Sequence, residues 1–153
     1  MKSAGTSTSA STGSNRRKRA HPEDDIQRQL FLWITLATPR IPQLAVAFHP
    51  ANGGKRDARE AARLKGLGVR PGVPDVMIPG LGGGGKCLGI DPLDCPCRPK
   101  LGLAIELKAG KNRPTPEQVQ WADNLRKAGW EVRLCYSFDE ARQAIADYFG
   151  VKP

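Results

Sequence analysis

Apolar residues recur at helical spacing in four stretches of the chain. The first begins at Pro22, with Glu23-Asp24-Asp25 behind it, and ends before Pro39. Two later stretches follow Thr115 and Ser137, each with Gln or Glu three residues on, which is the form of a capping box. A weaker, basic and Ala-rich stretch precedes Gly68. The pattern predicts helices at 22–37, 57–67, 115–129 and 137–149.

Short apolar runs between these helices predict strands. The clearest run is Leu103 to Lys108, in which alternate residues point to opposite faces. Residues 79–101 are rich in Gly and Pro and are interpreted as an irregular insertion. Helices that alternate with strands indicate an α/β domain, with a sheet of about four strands flanked by helices. The predicted strands are 44–49, 74–78, 103–108 and 132–136.

Length and charge narrow the class of protein. The 153 residues suffice for one domain with its own core, and no apolar run approaches the roughly 18 residues that span a bilayer. No signal-peptide pattern opens the chain, so we expect a cytoplasmic protein with reduced cysteines and no membrane association. The net charge of +9 favours a polyanionic partner.

Much of that positive charge lies at the N-terminus. Residues 1–20 hold five basic residues, four of them at 16–19, and no acid. Their Ser, Thr, Gly and Ala composition predicts a disordered basic tail that phosphates would attract, although a merely solubilising tail fits as well.

Two short motifs carry the candidate chemistry. Asp75 follows Pro74 at the start of one predicted strand, and Glu106 and Lys108 share one face of the next. If these strands are neighbours, Asp75 and Glu106 converge, and two like charges favour a cation between them. Carboxylate oxygens suit Mg²⁺, or Mn²⁺ in its place, and such an ion with Lys108 beside it suits phosphodiester hydrolysis.

The same residues resemble a known group of enzymes. Pro74-Asp75, 30 intervening residues and Glu106-Leu107-Lys108 resemble the PD-(D/E)XK nuclease superfamily. The run 68–75, Gly-Val-Arg-Pro-Gly-Val-Pro-Asp, resembles the signature of its VRR-NUC branch. The resemblance covers about residues 21 to 149. It implies a restriction-endonuclease-like core with a central mixed sheet, in a nuclease domain at 21–150 that carries the insertion at 79–101.

The resemblance also implies roles for particular residues. Asp75 and Glu106 would be metal ligands, Lys108 the catalytic base or water-orienting group, and Gln118 a catalytic-site residue. Glu23 would join the metal shell through water. The implied protein is a Mg²⁺- or Mn²⁺-dependent DNA endonuclease without a small-molecule cofactor.

Its implied substrate is branched DNA such as four-way junctions, cut by a homodimer in recombination and repair in a bacterial or phage-infected cell. A monomeric nonspecific nicking nuclease and a catalytically silent nucleic-acid-binding module are the alternatives.

Simpler interpretations of these residues stay open. Glu106 and Lys108 also fit a solvated ion pair, and Gln118 a capping residue alone. Glu23 also fits the positive end of a helix macrodipole. His49 is interpreted as a strand-end residue outside the catalytic set. A structural zinc would need a set of cysteines with unusual spacing, namely Cys87, Cys95, Cys97 and Cys135.

Overall fold

A computed structural model describes residues 22–50, 57–83 and 99–152. Within these ranges, three strands form one sheet in the order β1-β2-β3, with β1 antiparallel and β3 parallel to β2. The fold is therefore the mixed α/β arrangement that the sequence predicts. The elements are α1 (Pro22–Ala37), a 3₁₀ helix (Pro42–Val46), α2 (Ala58–Gly66), β1 (Val76–Gly82), β2 (Lys100–Leu107), α3 (Pro116–Lys127), β3 (Glu131–Cys135) and α4 (Phe138–Phe149).

The helix starts follow the predicted capping residues. At α3 the Gln118 N–H donates to the Thr115 hydroxyl (3.3 Å) and the Thr115 N–H donates to the Gln118 side chain (2.8 Å), a complete capping box. At α4 the Ser137 hydroxyl accepts from the Glu140 N–H, but the Glu140 carboxylate accepts from the N–H of Tyr136. The second predicted box is therefore only half formed.

The predicted strand at 44–49 is wrong. A 3₁₀ helix, Pro42–Val46, occupies the start of this segment, and only Phe48 pairs with the sheet, through an isolated bridge to Met77. The physical reason is a spacing of three: Ile41 and Leu44 are buried one 3₁₀ turn apart, whereas Phe48 is exposed. In the described ranges the sheet accordingly has three strands instead of about four.

The strands reach further into the predicted insertion than expected. The irregular interpretation is wrong at 79–82, which belongs to β1, and at 100–101, which belongs to β2. Tyr148 of α4 closes this end of the pair, since its hydroxyl donates to the carbonyls of Gly80 (2.6 Å) and Lys100 (3.0 Å). Gly82 permits the approach, because a Cβ there would lie 2.5 Å from the Tyr148 ring.

Other predictions lie outside the described residues. These are the basic tail at 1–20, most of the insertion and three of the four cysteines. Cys135, the fourth, is a buried free thiol. No helix in the described part of the chain is long and apolar enough to cross a membrane.

β2 lies at the centre of the core, and its alternation matches the prediction. Leu103, Ile105 and Leu107 face the cluster formed with α1 and α4. Ala104 faces the opposite side, where α3 packs through Leu125. The sheet thus has helices on both faces, and the end of β2 that carries Glu106 lies beneath the N-terminal turns of α1 and α3.

Candidate active site

Two carboxylates meet at one end of the β1–β2 pair. Val76 pairs with Ile105, so continuing the antiparallel register places Asp75 beside Glu106. The Leu107 N–H donates to Asp75 Oδ2 at 2.8 Å, which fixes the Asp75 side chain on the backbone of the neighbouring strand. The sequence prediction that these two residues converge depended on the strands being neighbours, which they are.

Lys108 and Gln118 both contact Glu106. Lys108 Nζ lies 2.5 Å from Glu106 Oε1, and Gln118 Nε2 donates to the same oxygen. Glu106 is 6% exposed and Lys108 is 7% exposed, so the pair is buried and is not a solvated strand face. Gln118 caps α3 with its oxygen and contacts Glu106 with its nitrogen, so the capping role does not keep this side chain away from Glu106.

Burial sets the electrostatics of the carboxylates. It raises the pKa of Asp75, although the Leu107 N–H and the Lys108 charge oppose the rise. It also raises the pKa of Glu106 to about 7, against the opposing hydrogen bond from Lys108, and the nearby charges of Asp75 and Glu23 raise it further. Keeping both carboxylates ionised at neutral pH therefore costs free energy that a bound cation would offset.

Glu23 lies in the first turn of α1 at the edge of this group. Its Oε1 accepts from the Ala109 N–H (3.2 Å) and from Asn112 Nδ2 (3.0 Å). The charge of Glu23 acts on the pKa of both Asp75 and Glu106. The structure therefore brings Glu23 to the site, with one oxygen already hydrogen-bonded. No sequence pattern pointed to Asn112, which reaches Glu23 from a turn after β2.

His49 lies beside Asp75, and its place outside the catalytic set stays a prediction. Its Nδ1 is 2.6 Å from the backbone carbonyl oxygen of Asp75. Because a carbonyl oxygen only accepts, Nδ1 carries the proton and Nε2 is left for other partners. A cleft that His49 shares with Gln27 and Arg28 of α1 adjoins it.

The donor set fits a Mg²⁺ ion held largely by water. Nowhere in residues 22–50, 57–83 and 99–152 do three or more His, Cys, Asp or Glu side chains form a group that could hold a metal ion by themselves. Mg²⁺ is usually bound through one or two carboxylates with several waters retained. Asp75 and Glu106 match that requirement, and burial raises the pKa of both carboxyl groups even with Lys108 beside them, so a bound cation would favour their ionised forms.

Comparison with known proteins agrees with the architecture. No protein-family model and no curated protein matches the chain. A solved structure described as a "VRR_NUC domain protein" is similar over 88% of this chain and 93% of that chain, with a TM-score of 0.60 and 22% sequence identity. The chain thus has the α/β fold of a VRR-NUC domain, and the resemblance noted in the sequence is confirmed at the level of the fold.

Proposed function

We propose that this chain is a divalent-metal-dependent DNA endonuclease that hydrolyses phosphodiester bonds. The observation that carries the proposal is the convergence of Asp75 and Glu106 with the buried Lys108 at one end of the sheet. The fold shared with a protein described as a VRR_NUC domain protein supports it. So does the net charge of +9, which favours a polyanionic substrate.

The residues would divide the work of hydrolysis. Asp75 and Glu106 would hold Mg²⁺ or Mn²⁺, and Glu23 would reach the metal shell through water. A bound ion of this kind polarises a phosphoryl oxygen and lowers the pKa of a bound water. Lys108 would orient the attacking water or stabilise charge on the phosphate. The water oxygen bonds to phosphorus and releases a proton to solvent, while the bond to the leaving sugar oxygen breaks and that oxygen takes up a proton from solvent.

Two groups hold these side chains in place. The Leu107 N–H fixes Asp75, and Gln118 fixes Glu106 from the first turn of α3. Both come from regular elements, so the site needs little rearrangement to take a metal and a phosphate.

Metal dependence is the first test. Nicking of supercoiled plasmid by the full chain is expected with Mg²⁺ or Mn²⁺ and is expected to stop on chelation, because without the ion nothing polarises the phosphoryl oxygen or lowers the pKa of the attacking water. Conversion of supercoiled to open-circular DNA on a gel measures this directly. A parallel binding titration in chelator shows whether the DNA is still held.

Each outcome has a clear meaning. Cleavage that persists undiminished in chelator would contradict a metal mechanism. Tight DNA binding without cleavage under any metal would favour the alternative of a catalytically silent binding module.

We further propose that the enzyme acts on branched DNA as a homodimer. One such site cuts one strand, so two sites related by a two-fold axis would address opposed strands of a junction. On the outer face of α1, Leu32 (64% exposed) and Leu36 (71% exposed) lie one turn apart and offer apolar surface for a second copy.

Light scattering at micromolar concentration and cleavage of a four-way junction test this finer proposal. A dimer that cuts the junction faster than a linear duplex of the same sequence is the expected result. The matched variant Leu36→Lys is expected to give monomers and to remove the junction preference. A monomeric wild type that cuts both DNAs equally would leave only the nonspecific nicking nuclease.

A further inference from the structure

A groove of about 600 Å³ lies between α3 and the segment that joins α2 to β1. One wall is a single face of α3, on which Glu117, Gln120, Trp121 and Asn124 recur at helical spacing. This volume is within the range of about 300–1,000 Å³ that is usual for sites that bind small organic groups. The groove therefore has room for one nucleotide.

The two walls are in direct contact with each other, and both are close in sequence to residues of the candidate active site. Gly72 has φ +81°, and a Cβ there would lie 2.6 Å from the backbone carbon of Glu117, so the segment before β1 rests directly on the first turn of α3. Three residues later this segment reaches Asp75. On the other wall, Glu117 precedes Gln118, which contacts Glu106. Each wall thus continues into a residue of the active site.

The α3 wall offers the two kinds of contact that a nucleobase needs. Trp121 is half-buried: it packs against the core cluster of Met77, Ala104 and Leu125 and also lines the groove. Its ring is a flat surface of the kind on which bases stack. Gln120 Nε2 donates to Asn124 Oδ1 (3.2 Å), and the pair retains the Gln120 oxygen as acceptor and amide protons of Asn124 as donors.

The opposite wall carries the charge that a phosphate needs. Lys65 and Arg70 are both exposed and both line the groove. Glu117 on the α3 wall stays ionised, because hydrogen bonds from its own backbone N–H and from Thr115 lower its pKa. Phosphates are therefore favoured on the side of Lys65 and Arg70, away from Glu117. The base would then lie against the α3 wall.

We propose that this groove binds an unpaired nucleotide of the DNA strand that enters the active site, with the base on Trp121 and a neighbouring phosphate on Lys65 and Arg70. The inference rests on the nuclease function proposed above. An unpaired nucleotide is required because stacking in a duplex covers both faces of each base. Arg70 is five residues from Asp75, at most about 18 Å along the chain, so the bound phosphate would lie within about five nucleotides of the active site at roughly 3.4 Å each.

The test measures binding without cleavage. The full chain is titrated in chelator against a fluorescent single-stranded oligonucleotide, a gapped duplex and a blunt duplex. Trp121→Leu keeps an apolar contact with the core but removes the stacking surface, so about 5- to 150-fold weaker binding to the first two DNAs is expected, with little change for blunt duplex. Trp121→Phe is expected to restore most of the affinity.

Charge and amide variants complete the design. Arg70→Gln is expected to weaken binding of single strands and to lower the salt slope by about 0.7, because one phosphate contact is lost. Lys127→Gln, which removes an exposed charge at the far end of α3, is the matched control. The double variant Gln120→Ala with Asn124→Ala changes exposed residues only, so it keeps the fold while removing the contacts to the base edge.

The results separate this inference from the proposed function. Unchanged single-strand affinity in Trp121→Leu, or an equal loss on all three DNAs, would overturn the groove assignment. The first result would favour a protein partner as the occupant of the groove. Groove-dependent binding by a wild type that never cleaves DNA with Mg²⁺ would instead overturn the nuclease proposal alone.

Discussion

Replacing Asp75 with asparagine is expected to lower metal-dependent cleavage of DNA by about a thousandfold. Loss of the proposed carboxylate ligand would remove several kcal/mol of stabilisation of the transition state, and each 1.36 kcal/mol is a factor of ten in rate. The amide oxygen of the introduced asparagine would still accept the Leu107 N–H, so the local structure is expected to survive. Initial rates of plasmid nicking at saturating Mg²⁺ measure the effect.

Asp123→Asn is the matched control for this experiment. Asp123 is an exposed carboxylate on α3 that pairs with Arg126 at 3.2 Å, so the same chemical change there is expected to leave the rate unchanged. Glu106→Gln is expected to behave like the Asp75 variant. Full activity in both site variants would show that the metal lies elsewhere.

The stability of the metal-free protein is expected to fall as the pH rises from about 4.5 to about 7. The pKa of Glu106 is raised from 4.5 to about 7 in the folded state, so across this interval the unfolded chain loses a proton that the folded chain retains. The free energy of unfolding therefore decreases with pH, by about 1–3 kcal/mol in total. Asp75, whose pKa is also raised, adds to the decrease with the same sign.

Thermal unfolding between pH 4 and pH 8 in chelator measures this slope, and Glu106→Gln should flatten it. Addition of Mg²⁺ is expected to raise the melting temperature most at the upper end of the range, where the ion binds the ionised carboxylates. A metal-free protein that is most stable at pH 7, with no gain from Mg²⁺, would contradict the site.

The sequence predicted those parts of the fold that depend on local patterns. The alternation in β2 defined both faces of the sheet, and the Thr115 capping box defined the start of α3. The segment after Pro42 was mistaken for a strand because a short apolar run fits several structures. Its spacing of three between Ile41 and Leu44, with proline at the first turn, was the signal for a 3₁₀ helix.

The candidate site likewise has residues that local motifs predict and contacts that they do not. Asp75, Glu106 and Lys108 could be found from their motifs, since each motif is short and lies at the end of one strand. The contacts of His49 and Asn112 could not, because each joins segments that are far apart along the chain: 26 residues separate His49 from Asp75, and 89 separate Glu23 from Asn112. The groove beside α3 likewise exists only once Gly72 lies against Glu117.

The register of β1 against β2 places the two carboxylates and the long connection between the strands at opposite ends of the strand pair. The carboxylates lie where Val76 pairs with Ile105, whereas the long connection leaves and rejoins the sheet where Gly82 pairs with Lys100. Along β2, five residue steps at roughly 3.3 Å put these two ends about 17 Å apart. A dye, an affinity tag or a DNA-recognition module grafted between Gly83 and Pro99 would thus be anchored away from the proposed active site, which makes this connection a suitable place to engineer the protein.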